Sequence, residues 1–214
     1  MALSLVDHPN LIVFDHPLIA HKLSYIRDES LGYRPFRVLL TQVAGLMVYE
    51  VTRSFPTHHV DVRTPMEVAR CRRLAGTITL VPILRSGLGM TEGILDIMPE
   101  ARVAHLGMAR DEKTLQPLVY LRKFPKDLDA GPVLVVDPML ATGGSAAEAF
   151  RILKQHGARD LRMICLVASP EGVRLMHSVH PEVTIYAAAL DRQLNSHGFI
   201  LPGLGDAGDR MYGT

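Results

Sequence analysis

From residue 78 onward the chain alternates short apolar runs with segments whose apolar residues recur every three or four positions. The runs over 78–84, 103–108, 133–136, 161–168 and 183–190 are rich in Val, Ile, Leu and Ala, the pattern of strands buried on both faces. A further strand is predicted over 118–124. Helical spacing marks 90–97, 146–156 and 171–179, with Gly157 as the stop of the second. Alternating strands and helices predict an α/β protein with a doubly wound, mainly parallel sheet. Ligands of such a sheet lie beyond the carboxyl ends of its strands. Before residue 78 the pattern is helical over 16–28 and 35–53, the second with Val38, Leu39, Val43, Leu46, Met47 and Tyr49 as its apolar positions. Thr64-Pro65, with Glu67 two residues after the proline, predicts another helix start. After 183–190 no helix is predicted. The tail holds five glycines from Gly198 to Gly213 and reads as irregular, while Phe199, Ile200, Leu201 and Leu204 argue that it is ordered.

The polar residues that interrupt this pattern fall at the strand ends. In VDPMLATGGS (136–145) a buried strand runs into an acid, a threonine, two glycines and a serine, and then a helix. Such a turn points backbone N–H groups outward at a helix N-terminus, which is an anion site, and phosphate is the usual anion. Gly143 and Gly144 let the backbone approach it closely, and Thr142 and Ser145 add hydroxyl donors. Ser145 and Glu148 have capping-box spacing. A carboxylate beside a phosphate repels it, so Asp137 makes sense facing sugar hydroxyls of the same ligand. The turn is neither a Walker A loop nor the dinucleotide fingerprint, because the Gly-Lys-Ser/Thr and G-x-G-x-x-G patterns are absent. After 78–84 comes Arg85-Ser86-Gly87-Leu88-Gly89, and after 103–108 a charged loop with Arg110. Each feature has a plainer reading: a glycine pair in an ordinary turn, Arg85 on the surface, Arg110 on a solvated face. The histidines show no metal spacing. His58-His59 reads as a surface loop and His197 as structural.

Bulk composition narrows the classes. At 214 residues, 48% hydrophobic and 21% charged, the chain suits one α/β domain rather than a disordered one. A net charge of +1 argues against a dedicated nucleic-acid binder. Cys71 and Cys165 are not metal-spaced and read as buried thiols in a reducing cytoplasm. No leader peptide and no membrane span is predicted. The mean hydropathy of +0.15 hints at a buried subunit interface.

The segments VPILRSGLGM (81–90), VDPMLATGGS (136–145), ASPEG (168–172) and HGFILPGLGDAGDR (197–210) together resemble type I phosphoribosyltransferases, in detail the uracil branch. The likeness runs from Asp15 to the Gly213 end. Pro138 stands where most type I enzymes carry a second acid, which is the habit of the uracil branch. The resemblance implies the type I fold over 1–214, with an N-terminal helical arm over about 1–55 and a C-terminal hood over about 191–214. It implies transfer of 5-phosphoribose from 5-phospho-α-D-ribose 1-diphosphate to uracil, giving UMP and diphosphate, with Arg85, Arg110 and Asp137 at the chemistry. The diphosphate substrate would be bound by these three with Pro138, Met139, Leu140, Ala141, Thr142, Gly143, Gly144, Ser145 and Asp206. Uracil would be read by the backbone at Ile200 and at Gly205, Asp206 and Ala207. Mg²⁺ would be held mainly through substrate oxygens, with no protein metal site. A non-proline cis peptide is expected at Leu84–Arg85 or Arg85–Ser86, and a lid from Arg110 to about Pro117. The family also implies a homodimer or homotetramer, with a GTP effector in part of it. Alternatives are an RNA-binding regulator of pyrimidine genes on the same fold, a purine or orotate transferase, and a non-catalytic nucleotide sensor.

Overall fold

The structure, a computed structural model, describes the backbone of residues 2–5, 8–110 and 117–214, with side chains for 8–109 and 118–214. The central strands are the apolar runs: β5 (Thr79–Leu84), β7 (His105–Arg110), β9 (Val133–Val136), β11 (Leu161–Ala168) and β12 (Thr184–Leu190). With β1 (Ala2–Leu5), β2 (His8–Phe14) and β8 (Pro117–Lys123), they form one sheet in the order β1-β2-β12-β11-β9-β5-β7-β8. All neighbours from β2 to β7 are parallel. The edge pairs β1–β2 and β7–β8 are antiparallel. Short β6 (Arg102–Val103) and β10 (Met139–Leu140) add to β5 and β11.

Side chains alternate across this sheet into two cores. Leu80, Leu134, Val136, Ile164 and Leu166 face one side, and Val81, Ile83, Val133, Val135, Met163 and Cys165 the other. The first core is covered by α1 (Pro17–Arg27), α2 (Tyr33–Val51), α3 (Leu88–Ile97) and α6 (Ala207–Tyr212). The second is covered by α4 (Gly144–Gln155) and α5 (Pro170–Val179). From β5 the chain passes through α3 to β7 on one side, and then returns to β9 on the other. The order therefore reverses between β5 and β9. That switch point is where a doubly wound sheet opens a crevice for its ligand, and both strands end there in the glycine turns that carry Arg85 and Asp137.

Several expectations change on contact with the structure. Residues 57–74 form no helix. β3 (Thr57–Arg63) and β4 (Val68–Leu74) make an antiparallel hairpin, which puts the exposed His58 and His59 in a strand rather than a loop. The Thr64-Pro-Met-Glu turn signal is real but closes a hairpin: Thr64 Oγ1 accepts the N–H groups of Met66 and Glu67. Cys71, on that hairpin, is only half-buried, whereas Cys165 is fully buried. The N-terminal arm is not all helical, because β1 and β2 precede α1. On α2 the buried positions are Phe36, Leu40, Val43, Ala44, Met47, Val48 and Val51, while Val38 and Tyr49 are exposed. The tail holds regular pieces, β13 (Gln193–Leu194) paired with β14 (Ile200–Leu201), then α6. No capping box forms at Ser145. The helix begins two residues earlier than expected, at Gly144 with Gly143 as N-cap, and Arg151 engages the Glu148 carboxylate at 2.6 and 2.7 Å.

Candidate active site

Two adjoining cavities lie over the switch point, of about 260 Å³ and about 300 Å³, and they share Met139 and Asp206 in their walls. The first holds Arg85, Ser86 and Asp137. The second lies between Ala141 and the tail residues His197, Phe199 and Gly205.

Asp137 leaves β9 with its N–H donated to Ile164 O at 3.2 Å, and its Oδ1 accepts from Ser86 Oγ at 2.8 Å. Burial pushes its carboxyl up from 3.8 to about 7, against the lowering effect of the hydrogen bonds from Ser86 and the Met139 backbone; the charge of Asp206 pushes it further up. A carboxyl so placed takes up its full charge when hydroxyl donors or a cation meet it.

The glycine turn over 141–145 is organised from below by the ASPEG segment. Ser169 Oγ donates to Ala141 O at 2.6 Å and accepts Gly172 N–H at 2.9 Å. Gly143 has φ +83, and a Cβ there would stand 3.0 Å from Gly172 O. Gly144 is different, since a Cβ would meet only Thr142 Oγ1 at 3.9 Å. Gly143 is thus required by the fold, and Gly144 leaves open space where a ligand would come. Pro138 and Leu140 are buried and their carbonyls are engaged within the protein: Pro138 O accepts Leu166 and Val167 N–H, and Leu140 O accepts Ser169 N–H. The local signal for this support is Ser169 directly ahead of Pro170, a helix cap followed by proline at the first helical position.

Arg85 is exposed beside the first cavity, and the Leu84–Arg85 peptide is cis, as expected for this turn. Its guanidinium lies 5.9 Å from the Tyr212 ring centroid, and Tyr212 Oη donates to Arg85 O at 3.5 Å. Tyr212 was not singled out from sequence. Arg110 ends β7, where its backbone pairs with Pro117; its side chain and residues 111–116, the body of the lid expected from Arg110 to about Pro117, lie outside the described residues.

In the tail Ile200 and Ala207 are buried, while Gly205, at φ +78, and Asp206 are exposed. Asp206 caps α6, its Oδ1 accepting Asp209 N–H at 3.0 Å. Asp206 and Ala207 line the first cavity, and Gly205 and Asp206 the second. Among the described residues no three His, Cys, Asp or Glu side chains cluster to hold a metal, and no helix is long and apolar enough to cross a membrane.

This geometry agrees with what the chain is similar to. The family model for uracil phosphoribosyltransferase matches residues 13–214. The chain belongs to the uracil phosphoribosyltransferase family. Relatives described as uracil phosphoribosyltransferase include one from Macrococcus caseolyticus, 57% identical over 94% of this chain and 97% of its own length. Another, from Bacillus cytotoxicus, is 53% identical over 95% and 98%. Among solved structures, the AQ2163 protein from Aquifex aeolicus superposes with a TM-score of 0.91 at 36% identity, covering 94% of this chain and 97% of that one. The adenine phosphoribosyl transferase from Trypanosoma brucei, at 11% identity and a TM-score of 0.58 over 89% and 87%, shares the fold of this family alone.

Proposed function

We propose that the chain catalyses transfer of 5-phosphoribose from 5-phospho-α-D-ribose 1-diphosphate to uracil, in pyrimidine salvage, and that the switch-point cavities are where it does so. The observation that carries the site assignment is the meeting of Asp137, Arg85 and Ser86 in one cavity at the carboxyl ends of β5 and β9. The 5-phosphate sits on the N–H groups of 141–145 at the start of α4, where the helix dipole adds to them. Asp137 accepts from the ribose hydroxyls. Arg85 and Arg110 meet the diphosphate, whose charge grows as the anomeric bond breaks. Uracil enters the second cavity and is read by backbone groups at Ile200 and 205–207, with Asp206 reaching the ribose diphosphate. Positioning and electrostatics carry the reaction; no general base is assigned.

Mg²⁺ fits this donor set. Asp137 and Asp206 supply two carboxylates in the walls of the first cavity, too few for a protein-held ion and enough to help one that is held by substrate oxygens. When bound there, the ion neutralises diphosphate charge.

The chain acts as one phosphoribosyltransferase domain, with an N-terminal arm over about 1–55 and a hood over about 191–214. It works as a cytoplasmic homo-oligomer. An apolar groove of about 480 Å³ between α1, α2 and α3, edged by the exposed Tyr49 and Ile97, supports a covered subunit face. GTP activation stays part of the proposal without an assigned site. The RNA-regulator alternative gains nothing from the relatives. The deciding experiment is turnover with Mg²⁺, the diphosphate substrate and a panel of uracil, cytosine, orotate, adenine and hypoxanthine. Uracil alone should give nucleotide and diphosphate. Turnover of another base in preference to uracil would refute the reading.

A further inference from the structure

The base-reading loop is gripped by two arginines, Arg27 from α1 and Arg210 from α6. Arg27, the last residue of α1, meets the Asp191 carboxylate with both guanidinium nitrogens, at 2.8 and 2.6 Å. The same Nη1 also donates to Gly203 O at 2.7 Å. Gly203 N–H in turn donates to Asp191 Oδ2 at 2.9 Å. One ion pair therefore holds the N–H and the C=O of a single residue, and with them the two peptide planes that meet at Gly203. The pair is well sheltered, with the Asp191 side chain only 4% exposed. Gly203 has φ +63, and a Cβ there would lie 2.2 Å from Ile200 O, so the loop can take no side chain at this point. One residue further on, Arg210 Nη1 donates to Leu204 O at 2.9 Å and to Ile26 O at 2.5 Å. Consecutive carbonyls of the loop are thus tied to the C-terminal end of α1.

The other end of this linkage reaches the phosphate turn. Asp191 N–H donates to Ala168 O at 2.8 Å, and the next residue, Ser169, holds Ala141 O through its hydroxyl. Asp191 thereby registers the tail against the same strand end that holds the phosphate turn. Asp191 is one of the residues that set the separation between a base on the loop and a ribose phosphate on the turn, its N–H held at the strand end and its carboxylate holding Gly203. Reaction between two bound partners is sensitive to that separation, because a misplacement of about 1 Å can cost about 10²-fold in rate.

We infer that Arg27 and Asp191 are positioning residues for base recognition, setting the height and tilt of the 200–207 backbone over the reacting ribose without touching either substrate. The inference rests on the reading that this loop reads uracil. A planar guanidinium serves two acceptors at fixed angles, and an ammonium does not, so Arg27→Lys keeps the charge opposite Asp191 while loosening Gly203.

The test is steady-state kinetics on the full chain for Arg27→Lys and Asp191→Asn, with uracil and cytosine as bases, alongside Gly205→Val as a control on the loop itself. For Arg27→Lys, KM for uracil should rise at least tenfold and the uracil-to-cytosine ratio of kcat/KM should fall at least fivefold. KM for the ribose diphosphate should stay within twofold. Asp191→Asn should move the same readouts in the same direction; if it cannot be purified folded, Arg27→Lys decides alone. An unchanged uracil KM and base ratio in Arg27→Lys, with Gly205→Val impaired on uracil, would overturn the positioning role and leave the loop reading standing. A parallel rise in KM for both substrates would also overturn it, since that marks general loosening. If Gly205→Val itself handles uracil normally, the loop reading fails first and the inference with it.

Discussion

The two backbone surfaces at the ligand edge are both glycine-rich, but they are held in different ways. The phosphate turn is built by its neighbours in sequence: β9 leads in, α4 leads out, and Ser169, the N-cap of α5 only 28 residues beyond Ala141, supports it. The base loop is built by residues far away. Arg27 reaches Gly203 across 176 positions, and Arg210 ties back to Ile26 across 184. A locally determined turn keeps its shape as long as its strand and helix form. A loop held by distant side chains can be shifted without unfolding anything else, so one surface suits an invariant phosphate and the other suits a choice between bases.

The sharpest break in this comparison is Gly144→Val. The position has room for a Cβ, so the fold should survive, with Tm within a few degrees of wild type. The branched side chain would occupy the space the 5-phosphate needs. Affinity for the ribose diphosphate should fall by about 10²-fold or more, measured by calorimetry with Mg²⁺. A variant with native affinity would move the phosphate cradle away from 141–145.

Gly205→Val attacks the other surface. At φ +78 a β-branched residue is strained by about 1–3 kcal/mol, and its Cβ would come 3.4 Å from Arg210 Cδ, on the side chain that holds Leu204 O. The loop should retreat. We expect kcat/KM for uracil to drop by about 10- to 100-fold, with diphosphate-substrate affinity nearly intact. Equal losses on both substrates would mean that the two surfaces are not separable.

This contrast also explains what could be read from the sequence. Strands such as 133–136 and 161–168 carry their burial in their composition, and the order of strand, glycine turn and helix around 137–145 is set by adjacent residues, so both were legible. The 57–74 hairpin was not, because a Thr-Pro start with an acid nearby serves a helix and a tight turn alike, and nothing local separates them. Val38 and Tyr49 look like core on α2 and are exposed, since periodicity gives a face and not the neighbour that covers it. Arg27 and Asp191 gave no signal at all. An arginine ending a helix and an acid ending a strand are ordinary until the fold places them 2.6 Å apart.

A milder test concerns Asp137, which stands between the two surfaces. Burial raises its carboxyl from 3.8 to about 7 in the ligand-free protein. Between those values the folded state keeps a proton that the unfolded chain has lost. Stability should therefore fall as pH rises across that window and stay lower above it. The neutral isostere Asp137→Asn should gain in Tm relative to wild type as pH climbs from about 4 to about 7. Ribose hydroxyls need the ionised form, so substrate binding by wild type should weaken by up to about tenfold between pH 8 and pH 6 beyond any change seen in the variant. A Tm difference that is flat with pH would show that Asp137 is ionised throughout.

The smallest effect expected on base choice is the most discriminating. Ile200 is buried at 3% exposure in the core beneath the hood, so its side chain packs downward while its backbone stays with the loop. Ile200→Val removes one buried methylene at a cost of about 0.5–1.5 kcal/mol, and Tm should drop by a few degrees. If the base is read by main-chain groups, the uracil-to-cytosine ratio of kcat/KM should stay within about twofold, because the peptide groups remain where Arg27, Asp191 and Arg210 hold them. Uracil offers an acceptor, a donor and an acceptor along O4, N3–H and O2. Cytosine reverses the first two, so each mismatched backbone group faces a like partner, and such mismatches can reject a substrate by about 10⁴-fold. That discrimination does not pass through a methylene of Ile200. Stability and selectivity should therefore part company in this one variant: thermal unfolding moves while the base ratio does not. A ratio that tracks the side chain at 200 would show that shape, not hydrogen bonding, selects the base, and the comparison between a phosphate turn and a backbone base reader would lose its second member.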